Sequence, residues 1–245
     1  MPVGVIMNCL AVLAGGILGA ALGNSVPGRL KTQLNMIFGL CAMGMGINTV
    51  IQLANLPAVI FSVIVGTAIG VLLRFEERVT RLLAGLRKPF GRLMRINNAS
   101  DGKTGEAEYM AEFVTVLVLF CASANGIYGA LDSGFSGEHT ILISKSIMDL
   151  FTAMIFACSL GGAVSLISIP QFIILGLIFC LATVIYPLTT PEMINDLRGC
   201  GGLLLIATGF RILKLREFPV VDMIPAMILI MPVSAFWTGV IAPLL

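Results

Sequence analysis

Long uncharged stretches alternate along this chain with short segments that hold most of its Lys, Arg, Asp and Glu residues. Apolar runs of about 20 residues are long enough to cross the hydrocarbon core of a bilayer as helices. Eight such segments predict an all-α, polytopic transmembrane helical bundle. They cover approximately 3–22, 36–53, 58–73, 113–131, 141–169, 170–185, 199–213 and 222–244. If the fifth and sixth segments formed one broken element, the number of spans would be seven or fewer.

The basic residues fall in alternate connections of this pattern. Seven of the fifteen Lys and Arg residues lie between Arg74 and Arg95. Others follow the first apolar segment, at Arg29 and Lys31, or lie at the turn around Lys214. Because Lys and Arg accumulate in cytoplasmic loops, we expect these connections in the cytoplasm and both termini outside it.

The composition agrees with a single integral-membrane domain over residues 1–245. The chain is 58% hydrophobic and only 11% charged, and its mean hydropathy is +1.01, which is far more apolar than a soluble domain. Its single histidine, His139, argues against a histidine-rich metal site, and no two cysteines have C-x-x-C spacing. We therefore expect no metal and no cofactor. No hydrolase, zinc-protease or Walker motif is present, and we do not expect an enzyme.

Residues 74–112 read as a cytoplasmic basic amphipathic segment followed by a polar linker at 97–112. At helical spacing, apolar side chains such as Val79 and Leu82 lie opposite a basic stripe. That stripe consists of Arg74, Arg78, Arg81, Lys88, Arg92 and Arg95. Such a helix lies in the membrane interface with its cations near anionic lipid head groups. The segment is then either a topology anchor or a surface regulated by lipid or a partner protein, and nucleic-acid binding is not expected.

The fifth apolar segment carries the candidate site. Lys145 and Asp149 are four residues apart, so on a helix they share a face and can pair. Asp149 would lie about 12 Å along the helix, a depth at which a carboxylate must be paired, protonated or hydrated. The segment of about 29 residues would span about 43 Å, longer than the core of about 30 Å. We therefore predict strong tilt, or a break near Lys145 and Ser146.

Other polar residues are expected at a similar depth in neighbouring helices. A cavity open to the outer side would bring them together as a substrate or ion path. Its candidates are Lys145, Asp149, Asn8, Ser123, Asn125 and Ser146. Each of them alone is more typical of an interhelical hydrogen bond, and the Lys145–Asp149 pair is equally compatible with a purely structural role.

The two halves of the chain also show a weak similarity. Residues 7–21 can be laid on 148–163, and 37–42 on 178–182 with one residue dropped. This arrangement would make the bundle a parallel 4+4 duplication.

Several sequence blocks resemble one known family. They are 37–40, 54–58, 187–191, 201–205, 218–221 and, most specifically, 119–123, 143–146 and 149–161. The chain is similar over nearly its whole length to the YqgA/YdfK-like family of uncharacterised bacterial inner-membrane proteins. The resemblance implies an inner-membrane protein, and it places Lys145 and Asp149 in the family's densest motif. The termini outside the cytoplasm would then lie in the periplasm. It supplies no substrate and no site.

Two classes of function therefore remain open. The first is a secondary transporter or channel-like carrier of a small solute or ion, of unknown substrate. The alternative is a non-transporting scaffold or lipid-binding protein that acts through the basic surface helix. A homo-oligomer is compatible with either. A water-filled cavity that reaches Asp149 would favour the carrier, and solid packing there would favour the scaffold.

Overall fold

The computed structural model describes residues 1–22, 27–84, 109, 113, 116–117, 119–121 and 123–244. Within these ranges the chain is almost entirely helical and forms no strand. The helices are α1 Val3–Leu22, α2 Gly28–Val50, α3 Leu56–Leu72, α4 Phe75–Ala84, α5 Ala124–Ser136, α6 Thr140–Leu160, α7 Ser168–Ile185, α8 Pro191–Ile212 and α9 Ile224–Phe236. Short 3-10 turns follow α6 (Gly161–Ile167) and α7 (Tyr186–Leu188), and α9 continues through a π-helical turn, Trp237–Ile241.

Local signals fix several helix ends. The hydroxyl of Ser123 accepts a hydrogen bond from the Gly126 amide at the start of α5. Thr190 caps the Met193 amide in the same way at the start of α8, where Pro191 occupies the first turn. Such hydroxyl caps satisfy amides that have no partner within the helix. Gly137, at φ +74, ends α5 in the left-handed conformation that glycine adopts without steric cost.

Four close helix pairs organise the bundle. α1 runs parallel to α6, because Gly15 faces the Leu150 carbonyl and Gly19 faces the Met154 carbonyl. α5 likewise runs parallel to α7. In contrast, α2 is antiparallel to α8, and α3 is antiparallel to α9. Small residues let backbones approach in lipid, where burial of apolar surface does not drive association.

The exterior of this bundle is apolar. Leu10 and Ile17 on α1, Phe61 on α3 and Leu177 on α7 are each more than half exposed. Among the described residues, three stretches are long and apolar enough to cross a membrane: Val3–Leu22, Thr140–Leu188 and Ile224–Leu244. A fourth would be α3 together with the start of α4, a pair bent by 59°. The predicted all-α, apolar character is confirmed, whereas eight spans are not confirmed by helix length and composition.

The 4+4 duplication is not confirmed either. It would require the tight α2–α8 pair to have a counterpart between α7 and α3. The described residues of those two helices do not pack closely on one another.

Of the two alternatives for the fifth span, strong tilt or a break near Lys145 and Ser146, the structure does not contain the break. α6 runs unbroken through Lys145 and Ser146 and ends at Leu160. The chain turns instead at Gly161, whose φ of +64 favours glycine, and passes through the 3-10 turn into α7 at Ser168 rather than Pro170. At the position of this alternative break, the Ser146 hydroxyl donates to the Leu142 carbonyl of its own helix.

Two helix starts were also predicted too late. α2 begins at Gly28 instead of residue 36, and α8 begins at Pro191 instead of residue 199. The first turns of α8 contain Asp196 and Arg198, whose charges suggested a loop. Each of these side chains has a partner from another element (Asn55 and Asp132), so the helix extends through them.

Candidate functional site

A buried polar cluster joins three helices in the interior of the bundle. Asn8 comes from α1, Lys145 and Asp149 from α6, and Gln171 from α7. The Asn8 amide donates to Asp149 Oδ2 at 2.8 Å, and the Lys145 ammonium donates to the same oxygen. Gln171 Nε2 donates to Asn8 Oδ1 at 2.8 Å and lies 3.4 Å from Asp149 Oδ2. We call these four residues the polar cluster.

The polar cluster is enclosed by packed apolar groups. Asn8 and Gln171 are 0% exposed, Lys145 is 3% exposed and Asp149 is 7% exposed. The Phe120 ring lies 5.8 Å from Lys145 Nζ, close enough for a cation–π interaction. On the α5 side, a Cβ added at Gly126 would lie in tight contact with Lys145 Cε. The absence of a side chain there makes room for the lysine.

The hydrogen-bonding capacity of the polar cluster is only partly used. Asp149 Oδ2 accepts from three donors, whereas Oδ1 accepts from none in the described part of the chain. Gln171 Oε1 is buried there without a partner. The ammonium of Lys145 has three N–H donors, and Asp149 is its one acceptor among the described residues. These unused donors and acceptors give the polar cluster capacity for a further proton or ligand. Leaving them without a partner is also costly in a buried site.

The predicted site residues separate into two groups. Asn8, Lys145 and Asp149 meet in one place. Asn125 is buried on α5 with its Oδ1 unpartnered in the described region, while Ser123 and Ser146 bind backbone groups of their own helices. Gln171 was not among the predicted residues, although an amide within a long apolar run is the signal that could have identified it.

A second buried carboxylate ties the α2–α3 connection and α9 to α8. Asp196 on α8 is 0% exposed and accepts hydrogen bonds from the amides of Ala54 and Asn55, at 3.0 and 2.6 Å. Its other oxygen accepts from Asn55 Nδ2 at 2.9 Å and from the Ser234 hydroxyl at 2.6 Å. These donors come from the α2–α3 connection and from α9. Sequence reasoning missed this group because its partners lie far apart in the chain.

An apolar groove of about 330 Å³ lies between α1 and α7. Ile6, Leu10 and Leu13 line it from α1, and Ile169 and Phe172 line it from α7. Its walls therefore contain none of the polar-cluster side chains, although Asn8 and Gln171 belong to the same two helices.

The start of the basic segment forms α4, which bends away from α3. Arg74 and Arg81 both lie near Glu77, at 3.9 and 3.1 Å, so part of their charge is offset. Glu76 pairs with Arg211 at 2.8 Å, and Val79 packs against the bundle. Arg78 is exposed, whereas Lys88, Arg92 and Arg95 lie outside the described residues. Contact of these six cations with lipid head groups stays a prediction.

Comparison with known proteins gives a consistent result. The family described as "Protein of unknown function (DUF554)" matches residues 3–235. The chain is 45% identical over 239 residues to "Uncharacterized protein YqgA" of Escherichia coli strain K12, covering 98% of this chain and 99% of that protein. It is 25% identical to "Uncharacterized membrane protein YdfK" of Bacillus subtilis strain 168, covering 95% of both chains. No solved structure matches this chain.

Proposed function

This chain belongs to the DUF554 family, and we propose that it is a secondary transporter or channel-like carrier of a small solute or ion. The observation that carries the proposal is the polar cluster, in which side chains from α1, α6 and α7 meet around one carboxylate with unused hydrogen-bonding capacity. A buried ion pair is weak evidence for stability, because apolar residues of similar volume are often as stable or more stable. Ionisable groups inside membrane helices commonly mark the path of a substrate or ion.

The proposed topology has eight crossings of a bacterial inner membrane, with both termini in the periplasm. The helix pairs agree with it, because this topology requires α1 parallel to α6, α5 parallel to α7, α2 antiparallel to α8 and α3 antiparallel to α9, as they pack. α4 and the turn after α8 then lie on the same side, where Arg29, Arg74 and Lys214 follow the positive-inside rule. α1 and α6 cross side by side in the same direction, so the polar cluster would lie within the membrane.

In the structure, the polar cluster is closed. The carrier proposal therefore requires a second conformation in which water reaches Ser146 and Asp149 from one side. At Gly15 and Gly19, α1 contacts α6 without a side chain of its own. The two helices can shift against one another at this contact. A change of packing between two arrangements of this kind is the usual basis of alternating access.

Cysteine accessibility tests this requirement. Ser146→Cys would be introduced into a background without the six native cysteines and treated, in membranes, with a charged methanethiosulfonate. We expect the modification to be at least about tenfold faster than for Leu204→Cys, since a factor of about ten corresponds to about 1.4 kcal/mol in the cost of opening. Leu204→Cys is the control because it replaces a fully buried core residue. Equal, negligible rates for both variants would mean that the site is solid and that the carrier proposal is wrong.

The alternative is a non-transporting scaffold that binds lipid through the basic segment. The exposed Arg78 and the bend at α4 favour it. Replacing Arg81, Lys88 and Arg92 with Gln in the full-length protein should then reduce its enrichment of anionic lipid. Each interfacial cation is worth about 1 kcal/mol near an anionic surface. Unchanged lipid enrichment would argue against this alternative.

A further inference from the structure

We propose that the polar cluster couples a proton to a small anion, with the proton on Asp149 and the anion on Lys145, so that the two are carried together. This inference rests on the proposed carrier function and specifies its substrate class. It follows from the packing, the hydrogen bonds and the charge of the polar cluster.

The packing determines what can enter first. Measured over the whole residue, no member of the polar cluster is more than 7% exposed. The closed state therefore has no room for a solute of several heavy atoms. A proton needs no such room. Asp149 is the carboxylate of the cluster, and its Oδ1 has no hydrogen-bond partner among the described residues while Oδ2 holds three donors. Its side chain is also more exposed than that of Lys145, at 10% against 4%. The free carboxylate oxygen is therefore the available proton acceptor.

Protonation changes what Lys145 can bind. With Asp149 neutral, the ammonium loses its one charged partner in the described structure and keeps neutral neighbours there, the Asp149 carboxylic acid and the Phe120 ring at 5.8 Å. An uncompensated ammonium in a membrane interior is unfavourable. An anion supplies the missing charge, and the two N–H donors of Lys145 that are not used in the described structure can bind it. In the closed state the lysine stem fills the space beside Gly126, so a small anion can reach the ammonium only once the helices separate.

The charge of the cluster explains why both substrates would move together. The empty site holds Lys⁺ and Asp⁻ and is neutral. The fully loaded site holds Lys⁺, the anion and a protonated Asp149, and is also neutral. A site loaded with only the proton or only the anion carries a net charge, and burying such a charge in low dielectric is strongly disfavoured. Only the two neutral states can therefore change access, and this restriction couples the two movements.

The neighbouring groups do not alter this charge balance. In the described residues, the titratable groups near Asp149 are Lys145 on the same helix, Cys9 on α1 and Cys121 before α5. Both cysteines are buried thiols. α5 and α7 present uncharged side chains to the pair, Gln171 among them. Asp149 and Lys145 therefore dominate the charge of the site.

Infrared difference spectroscopy on the reconstituted full-length protein tests the proton. A carboxylic acid band should appear on acidification within about pH 4 to 9, the range over which exposed and buried carboxyls titrate. The band should vanish in Asp149→Asn. It should shift in frequency in Asp149→Glu. This variant keeps a carboxyl at position 149 and provides the test if Asp149→Asn fails to fold. If no band can be assigned to residue 149 in this range, the proton site is refuted.

The same titration in chloride, nitrate or formate, compared with the bulky anion gluconate, tests the anion. Binding at two linked sites is reciprocal. A bound anion should therefore move the midpoint of the Asp149 band to higher pH, by about one unit for a tenfold coupling. Lys145→Met should keep a titrating band and abolish the anion effect. Arg198→Gln, which breaks the separate ion pair with Asp132, should keep both.

The remaining outcomes are distinguishable. A band that responds to none of the three small anions overturns the anion part of the inference. An anion shift that persists in Lys145→Met overturns the assignment to Lys145. If Ser146→Cys is accessible but the band is absent, the carrier stands and the coupling fails. If the band titrates but Ser146→Cys stays inaccessible, the carrier proposal fails instead.

Discussion

At the scale of single residues, two buried carboxylates in the same bundle have different surroundings. Asp149 shares one oxygen among Lys145, Asn8 and Gln171 and leaves the other without a partner in the described structure. Asp196 has both oxygens bonded by neutral donors from two parts of the chain, the α2–α3 connection and α9. Complete satisfaction is typical of a group that fixes structure. The difference therefore assigns a structural role to Asp196 and leaves Asp149 as the group with spare capacity.

Removing one partner of the Lys145–Asp149 pair should be more damaging than removing both. Asp149→Asn or Lys145→Met alone leaves an uncompensated buried charge and should cost roughly 3 to 5 kcal/mol of stability. The double variant should recover expression and melting temperature in detergent, because neither charge remains. A double variant as unstable as the singles would contradict this expectation. If it folds and keeps full transport activity, the pair is a structural ion pair only.

Asp196→Asn should destabilise the protein without affecting proton binding at Asp149. The amide replaces one acceptor oxygen with a donor, so at least one of the bonds from Ala54, Asn55 or Ser234 is lost. Each buried donor left unsatisfied costs about 1 to 3 kcal/mol. Glu138→Gln, which removes a charge at an exposed position, is the matched control and should leave the melting temperature unchanged. Equal melting temperatures for both variants would show that Asp196 does not tie the α2–α3 connection and α9 to α8.

At the scale of helices, the contacts depend on glycines that face backbone atoms directly. Gly15 and Gly19 on α1 lie against carbonyl groups of α6, and Gly70 on α3 lies against the carbonyl of Asp222. A side chain at these positions would separate the helices. Gly44 on α2 is different, because an added Cβ would meet nothing within 4 Å.

Gly19→Ala should therefore destabilise the protein, whereas Gly44→Ala should not. Gly44→Ala should be neutral or stabilising by up to about 1 kcal/mol, because alanine restricts the unfolded chain and favours helix. Gly19→Ala should destabilise by about 1 to 3 kcal/mol, because the methyl group overpacks the contact with Met154 and Ala157. Melting temperatures of the two variants in one detergent provide the comparison. A stabilised Gly19→Ala would mean that α1 and α6 are not in close contact.

At the scale of helices, the sequence could predict part of the structure. Hydrophobic runs located the cores of the long helices, and the i, i+4 spacing placed Lys145 and Asp149 on one face. The runs could not locate the start of α8, because the charges of Asp196 and Arg198 are compensated by residues more than 60 positions away. The amide of Gln171 within an apolar run is a local signal, but the runs could not show that its partners Asn8 and Asp149 would meet it from other helices. Compensation across long sequence distances is a tertiary property and has no local pattern.

At the scale of the whole molecule, the helix directions and the distribution of basic residues make a joint prediction about orientation. α5 ends at Ser136 on the side where α6 begins, and α3 runs toward the opposite side, where α4 and the basic segment follow. Arg74 to Arg95 should remain in the cytoplasm because of their positive charge. Residue 136 should then face the periplasm, and residue 100 the cytoplasm.

Single cysteines at Ser100 and Ser136, in a background without native cysteines, should therefore label from opposite sides. An impermeant maleimide added to intact cells with a permeable outer membrane should modify Ser136→Cys and leave Ser100→Cys unmodified. Disrupting the inner membrane should then allow Ser100→Cys to react, which controls for simple burial of that position. The cysteine-free background controls for labelling elsewhere. Modification of both positions in intact cells would place residues 100 and 136 on one side. An even number of crossings would then separate α4 from the end of α5, and the eight-span topology with its cytoplasmic basic segment would have to be abandoned.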